Sequence, residues 1–127
     1  MIVVADDDEA ILRLAARVLR DQGYQVLEAA SGTEALRVSE RHPGRVRLLL
    51  TDVQMPEVDG RALWRLFRRR HPEAKVLFMS GAEESVIEFD GPLLRKPFAL
   101  PELVRRVEDA LQCDRLRACG SMPGTPP

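Results

Sequence analysis

The chain has 127 residues, 45% hydrophobic and 31% charged, which suits one domain with a core and leaves little room for a second. Its 19 Lys plus Arg stand against 20 Asp plus Glu, and the net charge of -1 offers no general attraction to nucleic acid or acidic lipid. No run approaches the roughly 18 apolar residues a membrane span needs, and Met1 leads into Ile2-Val3-Val4-Ala5 without a basic leader, so a cytoplasmic protein with no nucleic-acid or membrane partner is expected.

Apolar runs alternate with amphipathic segments, and no longer repeat is visible. Residues 2–5 form the first run and precede Asp6-Asp7-Asp8. Ile11, Leu14, Ala15, Val18 and Leu19 then share one helical face, which Gly23 closes. Residues 24–27 form the second run, and Ser31-Gly32-Thr33-Glu34 has capping-box spacing for a helix that Pro43-Gly44 ends. Residues 46–50 are continuously apolar enough for a strand covered on both faces. Leu63, Leu66 and Phe67 mark a third helix ending at His71-Pro72, and residues 76–79 form the fourth run. After the short run 93–94, Leu100, Leu103, Val104, Val107 and Leu111 mark a last helix with Pro101 in its first turn.

Strands separated by helices require right-handed crossovers, hence a parallel sheet with helices on both faces. Ligands of such sheets gather beyond the carboxyl ends of the strands. Asp6, Asp7 and Asp8 follow the first run, Asp52 the third, Ser80 the fourth and Lys96-Pro97 the fifth. Carboxylates brought together repel unless a cation neutralises them, and hard oxygen ligands suit Mg²⁺. A lysine there would compete with the metal unless an anionic group is sometimes present, for which phosphoryl is the obvious candidate. Asp52 would attack the phosphoryl group as a carboxylate nucleophile, while the metal, Lys96 and the Ser80 hydroxyl bind its equatorial oxygens. Asp8, next to the first helical face, is the best N-cap and leaves Asp6 and Asp7 for the metal.

Four motifs in order carry a family resemblance: Val3-Val4-Ala5-Asp6-Asp7-Asp8, Leu50-Thr51-Asp52-Val53-Gln54-Met55-Pro56-Glu57-Val58-Asp59-Gly60, Met79-Ser80-Gly81 and Lys96-Pro97-Phe98. From Ile2 to about Leu111 the chain resembles the receiver domain of response regulators in two-component signalling, and in particular receivers of hybrid histidine kinases. The resemblance implies a flavodoxin-like, doubly wound α/β fold with five parallel strands in the order 2-1-3-4-5. It implies phosphorylation of Asp52 and Mg²⁺ held by Asp6, Asp7, Asp52 and the main-chain carbonyl of Gln54. Ser80 would be the switch hydroxyl, Lys96 the phosphate-binding lysine, and Lys96-Pro97 a cis peptide. The partner would be a histidine kinase or histidine phosphotransfer domain. The chain would be a phosphoacceptor that assists its own phosphorylation and dephosphorylation, not a turnover enzyme. Residues 1–112 are assigned to the receiver and 113–127 to an extension whose Gly/Pro-rich end is expected to be disordered.

Two departures from the family pattern stand out. Residues 81–91, eleven positions between Ser80 and Pro92, are few for a full crossover helix, so the fourth helix is expected to be short or missing. That places the family's common dimer face in question and favours a monomer or weak dimer. The family's aromatic switch position carries Leu93, which has no ring or hydroxyl. With the output outside this domain, the chain is either a stand-alone receiver or part of a hybrid sensor kinase.

Other features have plainer readings. Arg68-Arg69-Arg70 suits the negative end of a helix dipole, and His42 and His71 before prolines are helix terminators. Cys113 and Cys119 lack metal or redox spacing and are expected to be reduced thiols. The alternative functions are a phosphorylation-independent interaction module of the same fold and an aspartate-nucleophile phosphatase. The phosphatase would need an acid two residues past its nucleophile, where Gln54 stands. A flavin module would have its phosphate repelled by Asp6, Asp7 and Asp8.

Overall fold

The computed structural model describes residues 1–42, 44–81 and 92–116, with side chains through 112. The elements are β1 (Ile2–Ala5), α1 (Glu9–Asp21), β2 (Val26–Ala29), α2 (Gly32–Arg41), β3 (Leu48–Asp52), α3 (Gly60–Arg70), β4 (Lys75–Ser80), β5 (Leu93–Arg95) and α4 (Leu100–Leu116). All strands pair in parallel, in the order β2-β1-β3-β4-β5. This is the expected flavodoxin-like arrangement.

Alternation along the strands divides the core between the two faces. Ile2 and Val4 of β1, with Leu48 and Leu50 of β3, pack with Leu12, Ala15, Ala16 and Leu19 of α1 and Leu103, Val107 and Leu111 of α4. Val3, Ala5 and Leu49 face the other way, onto Ala35 of α2 and Leu63, Trp64 and Phe67 of α3. With both faces covered, the central strands can be apolar throughout, and each fully buried leucine contributes about 1.5–3 kcal/mol.

Two strands lie later in the chain than the apolar runs at 24–27 and 46–50 suggest. Tyr24 is still engaged in ending α1, since its N–H donates to Leu19 O and Gly23, at φ +99°, turns the chain there. The β2 ladder therefore begins only after Gln25 and includes Glu28. β3 continues through Thr51 and Asp52 because β1 and β4 continue beside it, opposite Ala5 and Met79. An apolar run loses such polar strand ends from view.

Two helical faces are also rotated from their predicted positions. Leu12 and Ala16 are buried on α1, whereas Leu14 is 46% exposed and Ile11 and Val18 are half-buried. Adjacent Ala15 and Ala16 let the helix settle on small side chains, which turns the large ones at 14 and 18 outward. On α3, Trp64 is buried and Leu66 is 42% exposed. On α4, Leu103, Val107 and Leu111 are buried as expected, while Leu100 and Val104 lie at the margin.

The caps match their sequence signals. Ser31 Oγ accepts from Glu34 N at 3.1 Å, and Glu34 Oε1 accepts from Ala30 N at 2.7 Å, one residue before the capping residue. Pro101 sits in the first turn of α4, which runs without a break past residue 112. The expected shortening between β4 and β5, the Gly/Pro-rich end and Cys119 fall outside the described residues, as does the side chain of Cys113.

Candidate functional site

Three strand ends and one loop converge beyond the carboxyl edge of the sheet. Asp6 prolongs β1: its N–H donates to Ala29 O at 3.1 Å, and its side chain is fully buried. Asp6 Oδ1 accepts from Asp8 N at 2.9 Å, the Asx turn that lifts the chain from the sheet into α1. Asp8 Oδ1 then accepts from Ala10 N at 3.0 Å and Ile11 N at 3.4 Å, the predicted N-cap. Asp7 between them is exposed at the mouth of the site.

Asp52 ends β3 and is 7% exposed. The loop after it returns closely, since Gly60 N donates to Val53 O at 2.8 Å and a Cβ at Gly60 would stand 2.2 Å from Asp52 O. Only glycine permits that approach. Asp59 caps α3 by accepting from Ala62 N at 2.9 Å. Ser80 ends β4 one residue beyond Met79, the register partner of Asp52, and its buried hydroxyl donates to Gly81 O at 3.0 Å.

Lys96 is set by β4, because its N–H donates to Ser80 O at 2.7 Å, and the Lys96-Pro97 peptide is cis, as the resemblance implies. Its Nζ lies 3.0 Å from Asp6 Oδ2 and 3.4 Å from Asp52 Oδ1. Burial by itself would lower the ammonium pKa, but the hydrogen bond and charge of Asp6, then those of Asp52, outweigh it and hold the pKa above the ordinary lysine value. Asp52 is pushed up to about 6, first by burial and then by the charge of Asp6, with Lys96 opposing. One ammonium does not neutralise the cluster.

Carboxylate oxygens of Asp6, Asp7 and Asp52 lie within 4.8 Å of one another. Hard oxygen donors at that spacing, around a carboxyl whose charged form is disfavoured, fit a divalent cation such as Mg²⁺. Gln54 shares with Asp7, Val53, Met55, Pro56, Asp59 and Arg61 the lining of an open hollow of about 610 Å³ beside the acids. Another hollow, of about 590 Å³, lies at the opposite end of the sheet between Met1, Tyr24, Arg47 and Glu108, away from the acids.

The site therefore assembles Asp6, Asp7, Asp52 and Lys96 as sequence position suggests, with Ser80 at the end of the neighbouring strand β4 and Gln54 at the rim. His42 and His71 end α2 and α3 as expected. His71 stacks on Phe67 and meets Ser39 Oγ at 3.3 Å, and burial, then Arg70, lowers its pKa. Arg68, Arg69 and Arg70 form the exposed last turn of α3, where Arg70 pairs with Glu40.

Sequence reasoning missed three features of this end of the molecule. Asp59 as a cap was available from the Asp-Gly pair before an apolar-periodic segment. Arg61 at the hollow had no distinguishing signal. Glu57 adopts φ +69° while Val58 N donates to Pro56 O at 2.7 Å, a tight three-residue turn that favours glycine. The turn seats Val58 against α2, where a Cβ at Gly32 would lie 2.9 Å from Val58 Cβ.

Comparison with known proteins places this geometry. The family model described as the response regulator receiver domain matches residues 2–108. The sensor kinase CckA of Brucella abortus is 38% identical over 117 residues, covering 87% of this chain but only 12% of CckA. The response regulator receiver protein CpdR of the same species is 34% identical over 116 residues, covering 87% of this chain and 95% of CpdR. Among solved structures, the receiver domain of the hybrid histidine kinase CckA superposes with a TM-score of 0.76 at 39% identity, covering 87% of this chain and 98% of that domain.

Proposed function

The chain belongs to the response regulator receiver domain family, and from that premise we propose that it is a phosphoacceptor of a two-component phosphorelay, modified on Asp52. The observation that carries the reading is the bridging position of Lys96, whose ammonium reaches Asp6 and Asp52 at 3.0 and 3.4 Å. A cation drawn onto the nucleophile in the resting site is placed to meet an anion arriving there.

Asp52 attacks the phosphorus of a phosphohistidine. An acyl phosphate P–O bond forms, the P–N bond breaks, and its electron pair returns to the imidazole, which takes up a proton. Lys96 contacts one phosphoryl oxygen, and the Ser80 hydroxyl turns from Gly81 O to donate to another. Asp6, Asp7, Asp52 and the Gln54 carbonyl would hold Mg²⁺, which supplies neutralising charge to the transferring group when bound. Burial of Asp52 keeps the acyl phosphate from bulk water.

The donor is a histidine kinase or histidine phosphotransfer domain. CckA and CpdR carry this domain as a small part and as nearly the whole of a chain, respectively. Both the hybrid-kinase and stand-alone settings therefore have precedent, and a monomer or weak dimer serves either. The domain promotes its own modification and hydrolysis without turnover of a separate substrate.

Incubation with Mg²⁺ and a small-molecule phosphodonor should add one phosphoryl group by intact mass, labile to hydroxylamine and absent from Asp52→Asn. A wild type that takes no label under these conditions refutes the phosphoacceptor reading in favour of a phosphorylation-independent interaction module. Continuous release of phosphate from an added phosphomonoester would identify a phosphatase.

A further inference from the structure

Two arginines hydrogen-bond to the outer strands of the sheet in the same way. Along a strand, successive residues direct their main-chain N–H and C=O to alternate sides. The carbonyls of Gln25 and Ala29 accept from Ile2 and Asp6, so Val26 and Glu28 face outward from β2. Arg20 of α1 donates to Val26 O at 2.9 Å and pairs with Glu28 at 2.7 Å. At the other edge, Pro92 O accepts from Phe78 N and Lys96 N donates to Ser80 O, so Leu93 and Arg95 face outward from β5. Arg106 of α4 donates to Leu93 O at 2.7 Å.

The two caps are chemically alike, but their strands do different work. β2 carries none of the site residues. β5 has three residues and delivers Lys96 immediately after them. Among the described residues β5 pairs only with β4, and on its outer side its main chain accepts a hydrogen bond from the guanidinium of Arg106. The distance from Leu93 to Lys96 is fixed by a short extended backbone. β4 sets the inner side of this short strand through its ladder and the Lys96 N–H, and the hold of α4 on Leu93 O adds a second constraint, from the outer side, on where the Lys96 ammonium stands relative to Asp6 and Asp52.

We propose that Arg106 is a positioning residue for Lys96, tying β5 to α4 through the Leu93 carbonyl. The Leu93 side chain has no ring or hydroxyl with which to sense the site, so this main-chain tie, beside the packing of Leu94 against Leu103 and Val107, carries movement of Lys96 toward a phosphoryl group to α4. The role in phosphorylation rests on the assignment of Asp52 above.

Arg106→Met keeps the apolar stem and removes the donor, and Arg20→Met makes the matched change at the other edge. The full chain and both variants are labelled with Mg²⁺ and a small-molecule phosphodonor, and their amide NMR spectra are recorded with and without beryllofluoride. Arg106→Met should label about fivefold more slowly, the scale of one charge-assisted hydrogen bond, and should lose the beryllofluoride-induced shifts at Leu103 and Val107. Arg20→Met should label within about twofold of wild type and retain those shifts. Arg106→Lys, which restores a single donor, should recover part of the rate and also serves if the methionine variant does not fold.

Equal slowing by Arg20→Met and Arg106→Met overturns the proposal, because the effect would then be general loss of stability. Unchanged rate and shifts in Arg106→Met also overturn it. If wild type takes no label, the phosphoacceptor assignment fails separately, and the tie is judged on the unmodified protein. There Arg106→Met, and not Arg20→Met, must shift the amides of Lys96 and Asp52, and the absence of that difference refutes it.

Discussion

Replacing Asp52 should stabilise the fold when no divalent cation is present. Asp52 titrates at about 6 in the folded chain against an ordinary value of 3.8. At about 1.4 kcal/mol per pKa unit, its ionised form costs up to about 3 kcal/mol at neutral pH. Asparagine has nearly the same volume and no charge to desolvate. It forfeits the attraction of Lys96 at 3.4 Å, but Lys96 retains Asp6 at 3.0 Å. Asp52→Asn is therefore expected to gain about 1–2 kcal/mol at pH near 7.5.

The pH dependence gives this prediction its sign. Between 3.8 and about 6, folded Asp52 holds a proton that the unfolded chain has released, so stability contributed by this group falls as pH rises through that window. Below it both states are protonated and the cost is absent; above it the cost is complete. Urea unfolding of wild type and Asp52→Asn in chelator, from pH about 4 to about 7.5, should show a difference that grows across the window and then levels. Added Mg²⁺ should narrow it by stabilising wild type more than the variant. A variant less stable than wild type at neutral pH in chelator, or a gain independent of pH, would refute the reasoning.

Three further outcomes test other parts of the account. Lys96→Ala should raise Mg²⁺ affinity about fivefold or more in calorimetric titration, since the ammonium on Asp6 and Asp52 would compete with a cation for the same carboxylates. Glu57→Gly should stabilise the chain by about 0.5–1 kcal/mol in urea titration, because glycine accepts φ +69° without the strain glutamate bears there. Leu12→Ala should cost about 2–5 kcal/mol and Leu14→Ala less than about 1 kcal/mol, the reverse of what the predicted α1 face requires.

The architecture was legible because alternation of apolar runs and helical patterns has only one common solution, a parallel sheet clothed on both faces. The exact strand limits were not. Tyr24 looks like strand from its side chain but is spent on the end of α1, while Thr51 and Asp52 look like loop yet lie within a ladder. The orientation of α1 was hidden for a related reason. Ile11, Leu12, Leu14, Ala15, Ala16, Val18 and Leu19 offer apolar surface over more than half the helix, and periodicity cannot choose which arc meets the sheet.

The candidate site was more legible than the helices because a parallel sheet collects consecutive strand ends at one edge, whatever the strand limits. An error of two residues in β3 leaves Asp52 at the same place, since the strand's direction and the following turn decide it. Lysine is informative for a compositional reason: Lys75 and Lys96 are the only lysines among so many arginines, and Lys96 stands immediately after a strand. Arginine gives no such contrast. Arg20 and Arg106 resemble their neighbours on α1 and α4, and their partners are main-chain carbonyls, which every residue has. Side-chain chemistry at strand ends can be anticipated from residue type and order, whereas a side chain closing a strand edge is determined by packing, and only the folded arrangement selects it.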